Sequence, residues 1–135
     1  MALQLSVAVR NAMLDAIETT IGTSAVLKIR TGAPPASVAT ADSGTVLATL
    51  TLPSDWMAAA SAGSKAKSGT WEDASADAAG TAAHYRIYAS DGTTAHLQGT
   101  VTATGGGGDL TVDNVVFAAG QSFTVTSFSL TAANS

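Results

Sequence analysis

Cysteine is absent from this chain of 135 residues. That removes disulfides, thiolate metal sites and cysteine nucleophiles together, and it leaves the redox compartment open. Charge is scarce as well. Charged residues make up 12% of the chain, about half of the roughly 25% usual in soluble domains. A free monomer keeps a more charged surface than this for solubility. The composition therefore points to a surface covered by copies of the chain or by a partner, over a secreted or merely Ala/Thr-rich domain. Aromatic residues are 5%, so the core must be built from small pieces. No apolar run is long enough to cross a membrane. The opening stretch MALQLSVAVRNAML has no basic segment ahead of its apolar residues and no clean cleavage pattern, so no signal peptide is expected. The net charge is −4 and the six cations are scattered. Lys28 and Arg30 share one strand, Lys65 and Lys67 another segment, and no basic stripe for nucleic acid results.

The length fits one domain with a core of its own. Its clearest signal is Thr81 to Thr102, two alternating runs around Ser90-Asp91-Gly92. A three-residue loop, a type I turn with Gly92 left-handed in a bulge, sets Ala83 opposite Gly99, Tyr85 opposite Leu97 and Ile87 opposite Ala95. The other face then pairs His84 with Gln98, Arg86 with His96 and Tyr88 with Thr94. A slip of one residue would mix apolar and polar faces, so a half-buried antiparallel hairpin in this register is expected.

Residues 6 to 21 read as the one convincing helix, capped by Ser6 and stopped by Gly22. Val9, Met13, Ile17 and Ile21, with Leu14 beside them, form an apolar stripe, and Asn11, Asp15 and Glu18 lie on another side. The stripe must be buried on the chain's own sheet or on a neighbouring subunit. Ala25 to Thr31 and Thr45 to Leu52 alternate as strands, with Val46, Ala48, Leu50 and Leu52 inward in the second. Trp56 and Met57 are expected to anchor a short helical turn, Lys65 to Trp71 to form a strand, and Glu72 to Gly80 to be an exposed loop. Near the end, Phe123 and Val125 have one parity and Phe128 and Leu130 the other, which calls for a bulge near Thr126-Ser127. About seven or eight short strands with turn chemistry between them give an antiparallel β-sandwich, Ig-like or jelly-roll-like, with a β-barrel as the alternative. The division is 1–24, helix and link, and 25–135, sandwich.

Little in the chain carries chemistry. Glu72, Asp73 and Asp77 are the densest acidic group, but their spacing does not match a calcium loop. His84 and His96 share the polar hairpin face without a third ligand for zinc. There is no GxSxG elbow, and Gly105 to Gly108 is not followed by the Lys-Ser/Thr pair and helix of a phosphate loop. No enzyme activity, metal or cofactor is expected. Trp56 and Trp71 are read as core or interface anchors rather than a sugar platform. His84, Arg86, Tyr88, His96 and Gln98, on the polar face of the hairpin, are the candidate interface.

Three segments in order, SGTVLATLTLP from Ser43, GTAAHYRIYASDGTTAHLQGTV from Gly80 and GGGGDLTVDNVVFAAGQSFTVTSFSLT from Gly105, resemble a class of small tailed-bacteriophage structural proteins. The likeness covers roughly Ala25 to Thr131, and the N-terminal helix fits it. It rests on Tyr85-Arg86-Ile87, the Ser-Asp-Gly-Thr turn, the Asp-Leu-Thr-Val strand and the Ala-Gly-Gln turn before a Thr/Phe-rich strand. It implies a virion component and carries over no catalytic residue. The expectation is a capsid decoration (cement) protein, bound to the major capsid protein or other virion proteins and forming a homo-oligomer, with a trimer as the guess. It would act in the virion, without nucleic acid or membrane as partner. A neck or tail component is the alternative, and a carbohydrate-binding module a further one.

Overall fold

The computed structural model describes residues 3–132; residues 133–135, which the 25–135 division includes, lie outside it. The helix α1 spans Val7–Ile21. Ser6 Oγ accepts from the Val9 N–H at 3.2 Å, and Gly22, at φ 90°, closes the other end with its N–H on the Glu18 carbonyl. Both ends follow the expected caps.

Ten strands follow: β1 Val26–Arg30, β2 Val46–Thr51, β3 Ser64–Ala66, β4 Glu72–Asp73, β5 Gly80–Thr81, β6 His84–Tyr88, β7 Ala95–Ala103, β8 Leu110–Val112, β9 Val116–Phe117 and β10 Phe123–Thr131. Eight of them form one sheet in the order β2-β1-β6-β7-β8-β10-β3, with β4 also on β10, while β5 and β9 pair separately. The protein is thus mainly β with one helix. The ladder is not antiparallel throughout, since β7 and β8 run parallel. Their short connection turns back tightly over Thr102, whose hydroxyl accepts from the Gly108 N–H. A Cβ at Gly106 or Gly108 would fall 2.7 or 2.9 Å from Thr102 side-chain atoms, so the close return requires glycine.

The two ends of the sheet approach each other. The segment from Ser64 to Asp73 runs antiparallel along β10, and the chain continues to the free edge of β2, where the Asp77 N–H donates to the Leu47 carbonyl. Glu72 to Gly80 is therefore an edge cover carrying β4, not a free loop. Met57 to Lys67 is a second correction. It is a hairpin, with Met57 bridging Lys67 and Ser61 bridging Ser64, rather than a helical turn. Ala62 and Gly63 both have positive φ, 53° and 76°, the pair of angles a type I′ turn needs.

The β6–β7 hairpin keeps its expected faces but not its register. Tyr85 pairs with Gly99, Arg86 with Gln98 and Ile87 with Leu97, a shift of two residues from the expectation. The loop is longer than three residues, with the Ala89 N–H on the Thr94 carbonyl, and a bulge places both Ala95 and His96 opposite Tyr88. In β10 the bulge falls between Val125 and Ser127, where the change of parity requires it. Thr126, the extra residue, bonds through its hydroxyl to Thr104 and Thr111.

The inward faces make one core that includes Leu27, Ile29, Leu50, Ile87, Leu110 and Val112. A row of aromatics crosses it: Trp56 to Trp71 at 6.0 Å, Trp71 to Phe128 at 5.4 Å, and Phe128 edge-on to Tyr85 at 5.6 Å. Both tryptophans are core residues, and their indole N–H groups donate to Gly22 and Ser68 carbonyls. Leu47, expected outward, is buried too, because the cover over the β2 edge brings Gly80 against it.

Candidate functional site

Every residue of β6 is buried, the polar ones included. The outer face of the hairpin is covered by the chain's own loop, residues 32–44, and the side chains of the face hold that loop down. Arg86 is 2% exposed. Its Nε donates to Gln98 Oε1 at 3.1 Å, one terminal nitrogen to Asp42 Oδ1 at 2.8 Å, and the other to the Ser37 and Thr40 carbonyls at 3.0 and 2.9 Å. Asp42 also accepts from Arg30 at 2.9 Å and from the Tyr88 hydroxyl at 2.7 Å. Burial works against the Asp42 charge, but the Tyr88 hydrogen bond and the two guanidinium groups outweigh it and hold its carboxyl below the usual range. Burial, reinforced by the bond to Asp42, pushes the Tyr88 phenol up. His84 Nδ1 lies 2.7 Å from the Gly32 carbonyl, so this nitrogen carries the proton. Gln98 Nε2 closes the clamp on the Pro35 carbonyl at 2.8 Å.

The candidate interface is thereby redistributed. His84, Arg86 and Tyr88 are buried by a loop of the same chain, and Gln98 is half-buried with both ends of its amide engaged. Of the five, only His96 stands exposed, in the bulge of β7. The two histidines do not converge. Among the described residues no three His, Asp or Glu side chains group as metal ligands. Asp73 and Asp77 serve instead at the β2 edge, with Asp73 accepting from the Thr49 N–H and Asp77 from its hydroxyl.

A second polar cluster fastens the helix. Asn11, Asp15 and Glu18 accept from the backbone N–H groups of Gly63, Ala60 and Met57. Their spacing of three and four residues puts them on one face, and that face docks on the 57–67 hairpin. Lys65, 2% exposed, lies 2.7 Å from Asp15 and 2.8 Å from Glu18. Burial opposes its charge, but the two carboxylates prevail and hold its pKa above the ordinary lysine value. The hydrogen bonds from Lys65 and Ala60 hold the Asp15 carboxyl low.

This polar docking turns the apolar stripe away from the body. Leu14 and Ile21 are buried, but Val9 is 46% and Met13 51% exposed. The exposed helix residues Ala8, Val9, Ala12, Met13, Ala16, Thr19 and Thr20 carry no charge. Beside them Met13, Ala16, Ile17 and Thr20 face His96 and Leu97 across an open groove of about 360 Å³. The expectation that the stripe is buried on the chain's own sheet therefore holds for half of it. The orientation was missed because a row of acceptors aimed at a strand edge has no mark in hydropathy.

With half of the six cations, Arg30, Arg86 and Lys65, buried in structural ion pairs, the outer surface is poorer in charge than the composition suggests. Comparison with protein-family models, curated proteins and solved structures finds no match for this chain.

Proposed function

We propose that the chain is a non-enzymatic structural protein of a tailed-phage virion, a capsid decoration (cement) protein bound to the major capsid protein of the head shell. The observation that carries the reading is the uncharged, exposed face of α1 with Val9 and Met13 at its centre. A patch of this kind marks an interaction site on a small protein. It sits on a helix whose other sides are fixed by ion pairs and hydrogen bonds, so it is presented rigidly. The ordered likeness of Ser43–Pro53, Gly80–Val101 and Gly105–Thr131 to phage structural proteins supplies the setting. The finer fold reading, a two-layer sandwich, Ig-like or jelly-roll-like, belongs to the same proposal, as does a trimer around a symmetry axis of the shell. Many weak contacts repeated by symmetry would stabilise that shell against internal pressure.

The sugar-module alternative loses its basis, because Trp56 is 0% and Trp71 1% exposed. A neck or tail position remains the second reading and shares the same surface. Quantitative mass spectrometry of purified particles separates the two. Hundreds of copies per particle support decoration, a dozen or fewer a neck or tail place, and absence from particles refutes both.

A further inference from the structure

β8 is 3 residues long, while β7 and β10 on either side of it have 9 each. It pairs with β7 from Val101 to Ala103 and with β10 from Val125 to Phe128, and both ladders end at Leu110. β7 continues to Ala95 and β10 to Thr131. At Leu110 the two long strands stand two inter-strand spacings apart, about 9.5 Å, and beyond it they flank a gap one strand wide. The gap is a slot of about 400 Å³ whose lining includes Leu97, Gln98, Asp109, Ser129 and Thr131.

The walls of the slot are strand edges. The Val101 N–H donates to the Ala83 carbonyl, so alternation directs the backbone of Gly99 and Leu97 to β6 and that of Gln98 and Thr100 toward the slot. The Thr100 N–H, on Asp109 Oδ2 at 2.9 Å, marks that side. On β10 the Phe128 carbonyl accepts from Lys67 and the Ala132 N–H donates to Gly63. Phe128 and Leu130 therefore bond toward β3, and Ser129 and Thr131 turn their backbone groups into the slot. At its head stand the Asp109 carboxylate and the hydroxyl of Tyr85. Tyr85 is 2% exposed, and its hydroxyl, against which a Cβ on Gly99 would lie at 2.8 Å, borders the slot. That hydroxyl has no hydrogen-bond partner among the described residues.

We propose that the slot is a β-augmentation site, taking an extended segment of another polypeptide in line with β8. Its depth, from the level of Gly99 to that of Leu97, admits three or four residues, roughly 10–13 Å at strand rise. Main-chain bonds to both walls supply the affinity, as in other strand-addition sites. Asp109 is the one charged side chain of the lining, so the segment carries a lysine or arginine at that end. The inference does not depend on the virion reading.

The test uses the full chain, a displayed library of seven-residue peptides and amide exchange followed by NMR. In the free protein the Gln98, Ser129 and Thr131 amides exchange fast, while those of Gly99 and Leu130 are protected. A selected peptide, with alternating apolar residues and one terminal cation, slows those three at least tenfold. Asp109→Asn keeps an oxygen for Thr100 and weakens the peptide about tenfold, the scale of a lost charged hydrogen bond. Replacing the peptide's cation with norleucine gives the same loss without touching the protein. Slow exchange of the three amides in the free chain, no selected peptide that protects them, or binding indifferent to the peptide's cation would each overturn the proposal.

Discussion

Asp42→Ala removes the acceptor on which the 32–44 loop is fastened. The change strands three buried groups at once: Arg30, Arg86 and the Tyr88 hydroxyl, which lie 2.9, 2.8 and 2.7 Å from its carboxylate. Removing one partner of a buried ion pair costs about 3–5 kcal/mol. The side chain of Asp42 is 37% exposed, so water replaces part of what is lost and the low end, about 3 kcal/mol, is expected. For a chain of this size that is a fall of roughly 10 °C in Tm. Asp42→Asn, which still accepts one bond, falls between the variant and the parent. The pH dependence has a definite sign. The folded-state pKa of Asp42 is depressed, so its contribution is present above the unfolded value of about 3.9 and disappears as pH falls through the folded one. The gap in Tm between parent and Asp42→Ala is therefore constant from about pH 5 upward and narrows below about pH 4. Calorimetry at a series of pH values checks both statements. A fall of less than about 3 °C at pH 7, or a gap that widens toward acid, would refute the clamp.

Two further outcomes concern stability. Burial first, then the Asp109 charge, pushes the Tyr85 phenol up; a raised folded-state pKa gives stability that is present below the unfolded value and lost as pH rises, so unfolding becomes easier above about pH 10. Because its hydroxyl has no protein partner, Tyr85→Phe leaves Tm at pH 7 nearly unchanged and flattens that alkaline decline, as denaturant titrations at pH 8 to 11 would show. Ala62→Gly relieves the left-handed φ of 53° in the 57–67 hairpin and raises stability by about 1 kcal/mol; an unchanged or lower midpoint in urea would show that the turn bears no strain.

Much of the fold was legible in residue alternation and caps. Ser6 and Gly22 bracket the helix, the parity change marks the β10 bulge, and the apolar and polar faces of the β6–β7 hairpin are those expected. Its register was not legible, because a shift of two residues preserves every face. The bulge at His96 then decides what pairs with Arg86, and nothing in the local pattern announces it. The burial of that polar face depends on Asp42, which lies far from Arg86 along the chain and meets it only in the folded state. The 57–67 hairpin was hidden because its turn sets alanine where glycine or asparagine normally advertises a positive φ. The helix was found but its orientation was not. Hydropathy sees Val9 and Met13 as core, whereas the acceptor row Asn11, Asp15, Glu18 decides which side docks. The same docking produces the exposed uncharged face, so the feature that carries the functional proposal is the one that pattern reading assigned to the interior.

The most direct measurement is therefore of that face. Val9→Lys/Met13→Lys places two charges on residues 46% and 51% exposed, where a surface change costs within about 0.5 kcal/mol. Melting and binding to particles stripped of this protein are measured together, by circular dichroism and co-sedimentation. The account predicts an unchanged melting curve and loss of binding. Binding at the parent's level, with the fold intact, would contradict it.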